Sequence, residues 1–305
     1  MAKMKLRGSG EVKPIIPLDI NMLDAFIRYS LCDCVSKYQL TLLQRLVTEI
    51  NIDAYQYDPD VYDRIRALRK IMILHEGIKH HTADIKGKKV SVILLTNRTQ
   101  KETVRRMVDC GQTKLHPLGV WVDTDNLPAL MKIRTFRDMV FPLKMEGFIS
   151  GDPVEAAKQI WESDVLGLLD SLHKEKGEYY FRIECKGAME LDERSGFTKK
   201  LASTLEELSQ GQLINSTSDY EVELRLIANK DGGFFPALRL STIKKRRFTY
   251  RKNVIATSIH PSTAALIMEI AKDYLKEDAQ IIDPFCGVGT MLIERHKKVP
   301  ARELY

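Results

Sequence analysis

No apolar run in this chain approaches the ~20 residues that a membrane-spanning helix requires. The longest, such as 90–95, are strand-sized. The first ten residues are basic and have no apolar core, which excludes a secretory signal at that end. Cysteine is sparse: the five, Cys32, Cys34, Cys110, Cys185 and Cys286, are scattered and odd in number, so they form no disulfide framework. Charge of one sign is also modest. A formal net charge of +6 permits a polyanionic partner without demanding one. These absences describe a cytoplasmic protein with reduced thiols. Cys32-x-Cys34, with His75, His80 and His81 some forty residues on, matches no standard zinc spacing, so the plain reading is thiols packed on a helix and no metal.

At 305 residues the chain has length for about two domains, with an apolar fraction of 44% and a charged fraction of 29% that fit a globular protein. Apolar residues recur at helical spacing through 18–75, as at Leu23, Phe26 and Ile27, then Leu42, Leu43 and Leu46, then Ile65, Leu68 and Met72. This predicts a helical N-terminal unit over 1–75. The period then changes. A strand over 88–96, a helix over 99–108, a strand over 118–122 and a helix over 127–143 predict a small α/β unit. A second unit opens at Asp152-Pro153, which suits a helix start running to about 173. Phe181, Ile183 and Cys185 alternate with Arg182 and Glu184, as in a half-buried strand. Phe197, Leu201, Leu205 and Leu208 share a helix face. Over 220–226, Tyr220, Val222, Leu224 and Leu226 alternate with Glu221, Glu223 and Arg225, a turn at Asp231-Gly232-Gly233 follows, and 234–240 returns as a strand. The fold class expected is therefore a multidomain α/β and α+β protein.

Next comes a basic segment with two aromatics: Lys244, Lys245, Arg246, Arg247, Phe248, Thr249, Tyr250, Arg251 and Lys252. Clustered cations with interleaved rings suit contact with phosphates and stacking on bases. His260-Pro261 starts an amphipathic helix.

Residues 279–294 read Ala-Gln-Ile-Ile-Asp-Pro-Phe-Cys-Gly-Val-Gly-Thr-Met-Leu-Ile-Glu. A short buried strand over 280–282 ends in an acidic residue, turns on glycines and enters a helix over 291–297. Such a turn brings backbone N–H groups and a helix N-terminus to the end of a sheet, where anionic groups bind. The glycine spacing is not that of a dinucleotide fingerprint, because Leu292 stands where Gly or Ala is wanted. It is not a phosphate loop either, since no Gly-Lys-Ser/Thr follows. Asp283 directly before the turn suits an ammonium group, while the loop amides suit a carboxylate.

The string Asp283-Pro-Phe-Cys-Gly-Val-Gly-Thr-Met-Leu-Ile-Glu294 resembles the first motif of class I methyltransferases that modify base amino groups, in particular the RNA methyltransferases that carry a THUMP domain. The likeness extends to Tyr179–Lys186, the helix near 197–208, the strand 219–226, and the linker-like run from 245 to 261; residues 76–145 resemble the ferredoxin-like domain that precedes THUMP. The resemblance implies S-adenosylmethionine as cofactor, with Asp283, Pro284, Gly287, Gly289 and Thr290 in contact with it and the stretch Thr257, Ser258, His260, Pro261, Ser262 capping its methionine end. It implies a folded RNA, tRNA or rRNA, as partner, with Lys244, Lys245, Arg246, Arg247, Tyr250, Arg251 and Lys252 as RNA contacts. It divides the chain into a helical unit (1–75), a ferredoxin-like domain (76–145), a THUMP-like domain (146–243), and a basic linker with the beginning of a Rossmann-like catalytic domain (244–305).

The family's catalytic Asp/Asn-Pro-Pro-Tyr/Phe motif is absent from these residues, and no catalytic residue is assigned here. The expectation is that the chain alone transfers no methyl group. Two other readings are a non-catalytic RNA-binding module and a DNA amino-methyltransferase. Cys286 in the loop lacks a general base beside it in sequence and is expected to pack. His260 is expected to start a helix, and Trp121 and Trp161 to sit in the core.

Overall fold

The computed structural model describes residues 80–305, apart from 146, 187–188, 230–232, 245, 253–254 and 256, together with 3–5, 12–14, 24–25, 64 and 67. Residues 1–79 and 80–305 form two compact units. In the first, strand β1 (Lys3–Lys5) pairs antiparallel with β2 (Val12–Pro14). Arg64 there donates from Nε to Asp24 Oδ1 at 2.7 Å. Most of the helical unit expected over 1–75, with Cys32, Cys34 and His75, lies outside the described residues.

The second unit enters as β3 (Lys86–Leu95), passes through helix α1 (Lys101–Arg106) and returns as the hairpin β4 (Gln112–His116) and β5 (Gly119–Asn126). A single helical turn, α2 (Leu127–Leu130), leads to β6 (Asp138–Pro142). Helices α3 (Pro153–Glu162) and α4 (Val165–Leu172), strand β7 (Tyr179–Lys186), helix α5 (Leu191–Leu208) and strand β8 (Leu213–Asn215) follow. Strands β9 (Val222–Ala228) and β10 (Phe234–Leu240) complete the set. All eight strands share one sheet, in the order β4-β5-β3-β6-β10-β9-β7-β8. It is antiparallel except where β7 runs parallel to both β9 and β8. The two α/β stretches read from sequence are thus halves of one sheet. They join at Ala237 opposite Pro142 and Leu238 opposite Phe141.

Period-2 patterning sets the faces. Val92, Leu94, Val120, Val122, Phe141, Leu224 and Leu238 point to the main core, with Leu169, Leu172, Leu201 and Leu205 from the helices. Ile93, Val140 and Ala237 form a smaller cluster on the opposite face, flanked by Trp121. Trp161 packs partly buried against the main core.

Two expectations are corrected by this architecture. The helix expected over 127–143 is a single turn, capped by Asn126 Oδ1 accepting from Ala129 N, followed by a strand. Every residue of that strand is buried, and its three consecutive apolar residues, Met139, Val140 and Phe141, show no alternation by which periodicity could tell it from a helix. The helix expected from 153 to about 173 is two. Asp152 caps the first through Oδ1, which accepts from Val154 N at 3.0 Å and Glu155 N at 2.9 Å. Asp164, with φ 60°, breaks the second from it.

The polar face of β7, β9 and β10 is not simply solvated. Glu223 is 1% exposed and is gripped by Arg182, Arg225 and Arg239, while Asp138 joins Arg225 at 3.0 Å and Arg239 at 3.1 Å. At the end of β9, Glu221 accepts from His81 N at 2.8 Å and meets His81 Nδ1 at 2.8 Å. The ring of His173 lies beside it, bonded to Leu169 O and Thr242 Oγ1, each at 2.8 Å. His80 faces Asp219 at 2.8 Å, so the two described histidines of the three weighed as metal ligands have carboxylate partners.

After the basic segment come helix α6 (Pro261–Ile270), strand β11 (Gln280–Ile281), helix α7 (Thr290–Lys298) and strand β12 (Glu303–Leu304). β11 and β12 pair in parallel. The strand expected to be buried over 280–282 is not: Gln280 is exposed and Ile282 is 74% exposed. Among the described residues no helix is long and apolar enough to cross a membrane.

Candidate functional site

The loop between β11 and α7 is a compact double turn. Asp283 Oδ1 accepts from Phe285 N at 3.0 Å, Cys286 N donates to Asp283 O at 3.1 Å, and Gly289 N donates to Cys286 O at 2.8 Å. Gly287 and Gly289 have φ of 55° and 71°, a region that costs any residue with a Cβ roughly 1 kcal/mol. Space is not what demands glycine within the chain. A Cβ at Gly287 would meet nothing within 4 Å, and one at Gly289 would touch only the far end of Ile293 at 3.9 Å.

Gly289 is the N-cap of α7 and brings no side chain to the first-turn N–H groups, which leaves them as donors for an anionic group. Thr290 is 2% exposed, and among the described residues its Oγ1 is buried without a hydrogen-bond partner. A half-buried carboxylate at Asp283, uncapped amides and an orphaned hydroxyl on one turn suit a ligand with adjacent ammonium and carboxylate groups. Pro284 and Cys286 are exposed and Phe285 is 93% exposed. The packing role expected for Cys286 is therefore corrected, because the turn points its side chain outward.

His260 starts α6 as expected: its Nδ1 accepts from Ser262 N at 3.3 Å and meets Ser262 Oγ at 2.7 Å. Partial burial holds its pKa below the ordinary value, helped by the charges of Arg137, Arg251 and Arg247. Ser258 Oγ accepts from Ile255 N at 3.4 Å and Thr257 is exposed. Among the described residues no hydrogen bond joins Ser258 or His260 to the 283–290 loop.

The basic segment divides in two. Lys244, Arg246 and Lys252 are exposed, and Lys245 lies outside the described residues. Arg247 turns inward. Its Nη1 donates to Ile133 O and Phe136 O, each at 2.9 Å, and its guanidinium lies 3.8 Å from the Phe136 ring centre. Burial pushes its pKa down to about 10, Arg134 adds to the effect and Asp138 opposes it, so it keeps its charge at neutral pH. Arg251 is half-buried, with no partner for Nε among the described residues.

Tyr250 also turns inward, donating to Glu294 Oε1 at 2.5 Å. Glu294, on α7 one turn after Thr290, is a buried carboxylate. Arg134 grips it bidentately, Nε to Oε2 at 2.9 Å and Nη2 to Oε1 at 2.5 Å. Arg134 also donates to Arg247 O and lies 4.8 Å from the Phe248 ring centre. Sequence reading missed Arg134 and Glu294 as partners. Glu294 closes the quoted motif, so its place was visible, but Arg134 sits in the stretch mistaken for helix and is 160 residues away.

Residues 249–301 match the UPF0020 family model, described as RMKL-like, methyltransferase domain. The matched segment includes the 283–290 loop. Among solved structures, the chain is similar to TrmN from Thermus thermophilus, at 14% identity and a TM-score of 0.49, covering 70% of this chain and 64% of that one. It is also similar to a predicted N6-adenine-specific DNA methylase from Listeria monocytogenes str. 4b F2365, at 17% identity and a TM-score of 0.45, covering 68% and 54%. The chain therefore spans less than two thirds of either. No curated protein matches it.

Proposed function

We propose that this chain is part of an S-adenosylmethionine-dependent methyltransferase acting on an exocyclic base amine of RNA, guanine being the base favoured. The observation that carries the reading is the 283–290 turn, with two left-handed glycines and an uncapped helix N-terminus, inside the segment that matches a methyltransferase domain. Asp283 would hold the ammonium of the amino-acid moiety. The amides after Gly287 and Gly289 would take its carboxylate, and Thr290 would bond the same end from below. Pro284 would line the loop, and Ser258 and His260 would close the methionine side. S-adenosylmethionine, when bound, supplies an electrophilic methyl group on a sulfonium. The remaining need is orientation, since an in-line approach at ~3–3.5 Å between reacting atoms can supply about 7–11 kcal/mol of the barrier.

A ferredoxin-like half and a THUMP-like half of the sheet would hold folded RNA, with Lys244, Arg246 and Lys252 on its phosphates. Arg247 and Tyr250 turn inward, onto the carbonyls of Ile133 and Phe136 and onto Glu294, and are not assigned to the RNA surface. No Asp/Asn-Pro-Pro-Tyr/Phe sequence occurs in the 305 residues, so these residues by themselves bind but transfer nothing. Titration calorimetry with S-adenosylhomocysteine tests the reading: saturable binding abolished by Asp283→Ala supports it. Absence of binding, with RNA still bound, would favour a non-catalytic RNA-binding module.

A further inference from the structure

The proposed chemistry needs the cofactor loop held at a fixed angle to whatever holds the RNA. Helix α7 leaves that loop directly, and Thr290 and Glu294 lie one turn apart on its buried face. The carboxylate of Glu294 receives three donors, two from Arg134 and one from Tyr250. Arg134 belongs to the loop between α2 and β6, within the eight-stranded sheet unit. Arg247 holds that loop through Ile133 O and Phe136 O, and it lines a small cavity together with Met131, Phe136, Met139, Leu240 and Ile243. The contact is therefore a relay: linker Arg247 fixes a loop, the loop presents Arg134, and Arg134 takes hold of the helix that begins at the glycine turn.

We infer that the Arg134–Glu294–Tyr250 cluster is a joint that fixes the angle between the glycine-turn helix and the eight-stranded sheet, which makes Arg134 and Tyr250 positioning residues for methyl transfer. The functional half rests on the methyltransferase reading; the mechanical half does not. Surface ion pairs hold geometry poorly because water competes for them. Here the carboxylate is 1% exposed, and bidentate guanidinium–carboxylate pairing fixes direction as well as distance. Stacking of Arg134 over Phe248 restricts the guanidinium plane further.

Spin labels at Glu102→Cys, on α1 of the sheet unit, and Asp273→Cys, just after α6, test the joint in the full chain with its native cysteines replaced. α6 and α7 pack together, so the label pair reports the angle. The wild-type background should give one narrow distance distribution. Glu294→Gln and Arg134→Met should each broaden it at least about twofold at temperatures where circular dichroism shows full folding. The double variant Arg134→Met/Glu294→Met leaves no unpaired buried charge, a replacement that is often neutral for folding. It should still broaden the distribution, which a role in stability alone would not produce. A distribution as narrow in that double variant as in the parent overturns the joint. Calorimetry with S-adenosylhomocysteine on the same proteins separates the two claims. Absent binding in the parent sinks the cofactor reading and leaves the distance result standing on its own.

Discussion

Arg225 and Glu223, two residues apart on β9 and therefore on the same face of the sheet, are bonded Nε to Oε1 at 2.5 Å. Burial alone would raise the pKa of Glu223. Hydrogen bonds from Arg182 and Arg225, with the charge of Arg239, outweigh it and hold the carboxyl below the ordinary range. Replacing Glu223 by Gln keeps the shape and removes the charge that three guanidinium groups share. It should cost on the order of 3 kcal/mol, as breaking a buried ion pair does. Urea unfolding of the two proteins measures it, and a cost within about 0.5 kcal/mol, typical of a surface change, would show that water already screens the cluster.

The basic segment should answer to mutation in two distinct ways. Lys244→Ala, Arg246→Ala and Lys252→Ala together should weaken RNA binding and reduce the slope of log affinity against log salt by up to about 0.7–0.9 per lost phosphate contact, with stability unchanged. Arg247→Met should do the reverse, losing on the order of 2 kcal/mol because two carbonyls lose their donor and leaving the salt slope alone. Filter binding across salt, run beside unfolding curves, separates these outcomes. A flatter slope for Arg247→Met would return it to the RNA surface.

His173 is 4% exposed, and burial lowers its pKa from 6.5, with His81 adding to the effect and Leu169 O, Glu221 and Glu175 opposing it. A depressed folded pKa means the unfolded chain binds the proton more readily. The contribution to stability is complete above the unfolded value of about 6.5 and is lost as pH falls from there through the folded value. Against a His173→Gln variant, the parent should therefore lose relative stability between neutral and mildly acidic pH. Parallel stability–pH curves for the two proteins would contradict this.

Gly289→Ala should destabilise by about 1 kcal/mol through its left-handed φ alone, with no clash to relieve. Gly289→Asn should cost less, since Asn tolerates that region. The proposed site adds a sharper expectation: Gly289→Ala lowers S-adenosylhomocysteine affinity more than it lowers stability, because the loop amides change direction. Equal losses in calorimetry and unfolding would point to folding alone.

Much of this is legible in the sequence alone. The alternation in 179–186 and 222–226, the full span of 234–240, the cap at Asp152 and the His260 helix start all appear where local patterning placed them. The glycine turn was legible because its constraint is local, in φ at two positions. What escaped was set by distance. Strand β6 looked helical because its polar-apolar contrast vanishes when both faces are covered. Lys244 and Arg247 are alike in sequence, yet one is exposed and the other bonds to carbonyls more than a hundred residues away. Composition cannot report that, and Arg134 was invisible for the same reason.

The sheet is continuous across β6 and β10, but two residue pairs join these strands, with one further bridge from Ile149 to Phe234, and one member is Pro142, which has no N–H to give. Each half can nucleate on its own hairpins and crossovers before the chain closes the long loop between them, and closing it carries the larger entropic cost. Assembly should therefore run as two early events and one late zipping step. In pulsed hydrogen exchange the amides of β3 and β5 would gain protection ahead of Leu238, and Pro142→Ala, by restoring a donor at the join, would shorten the final phase.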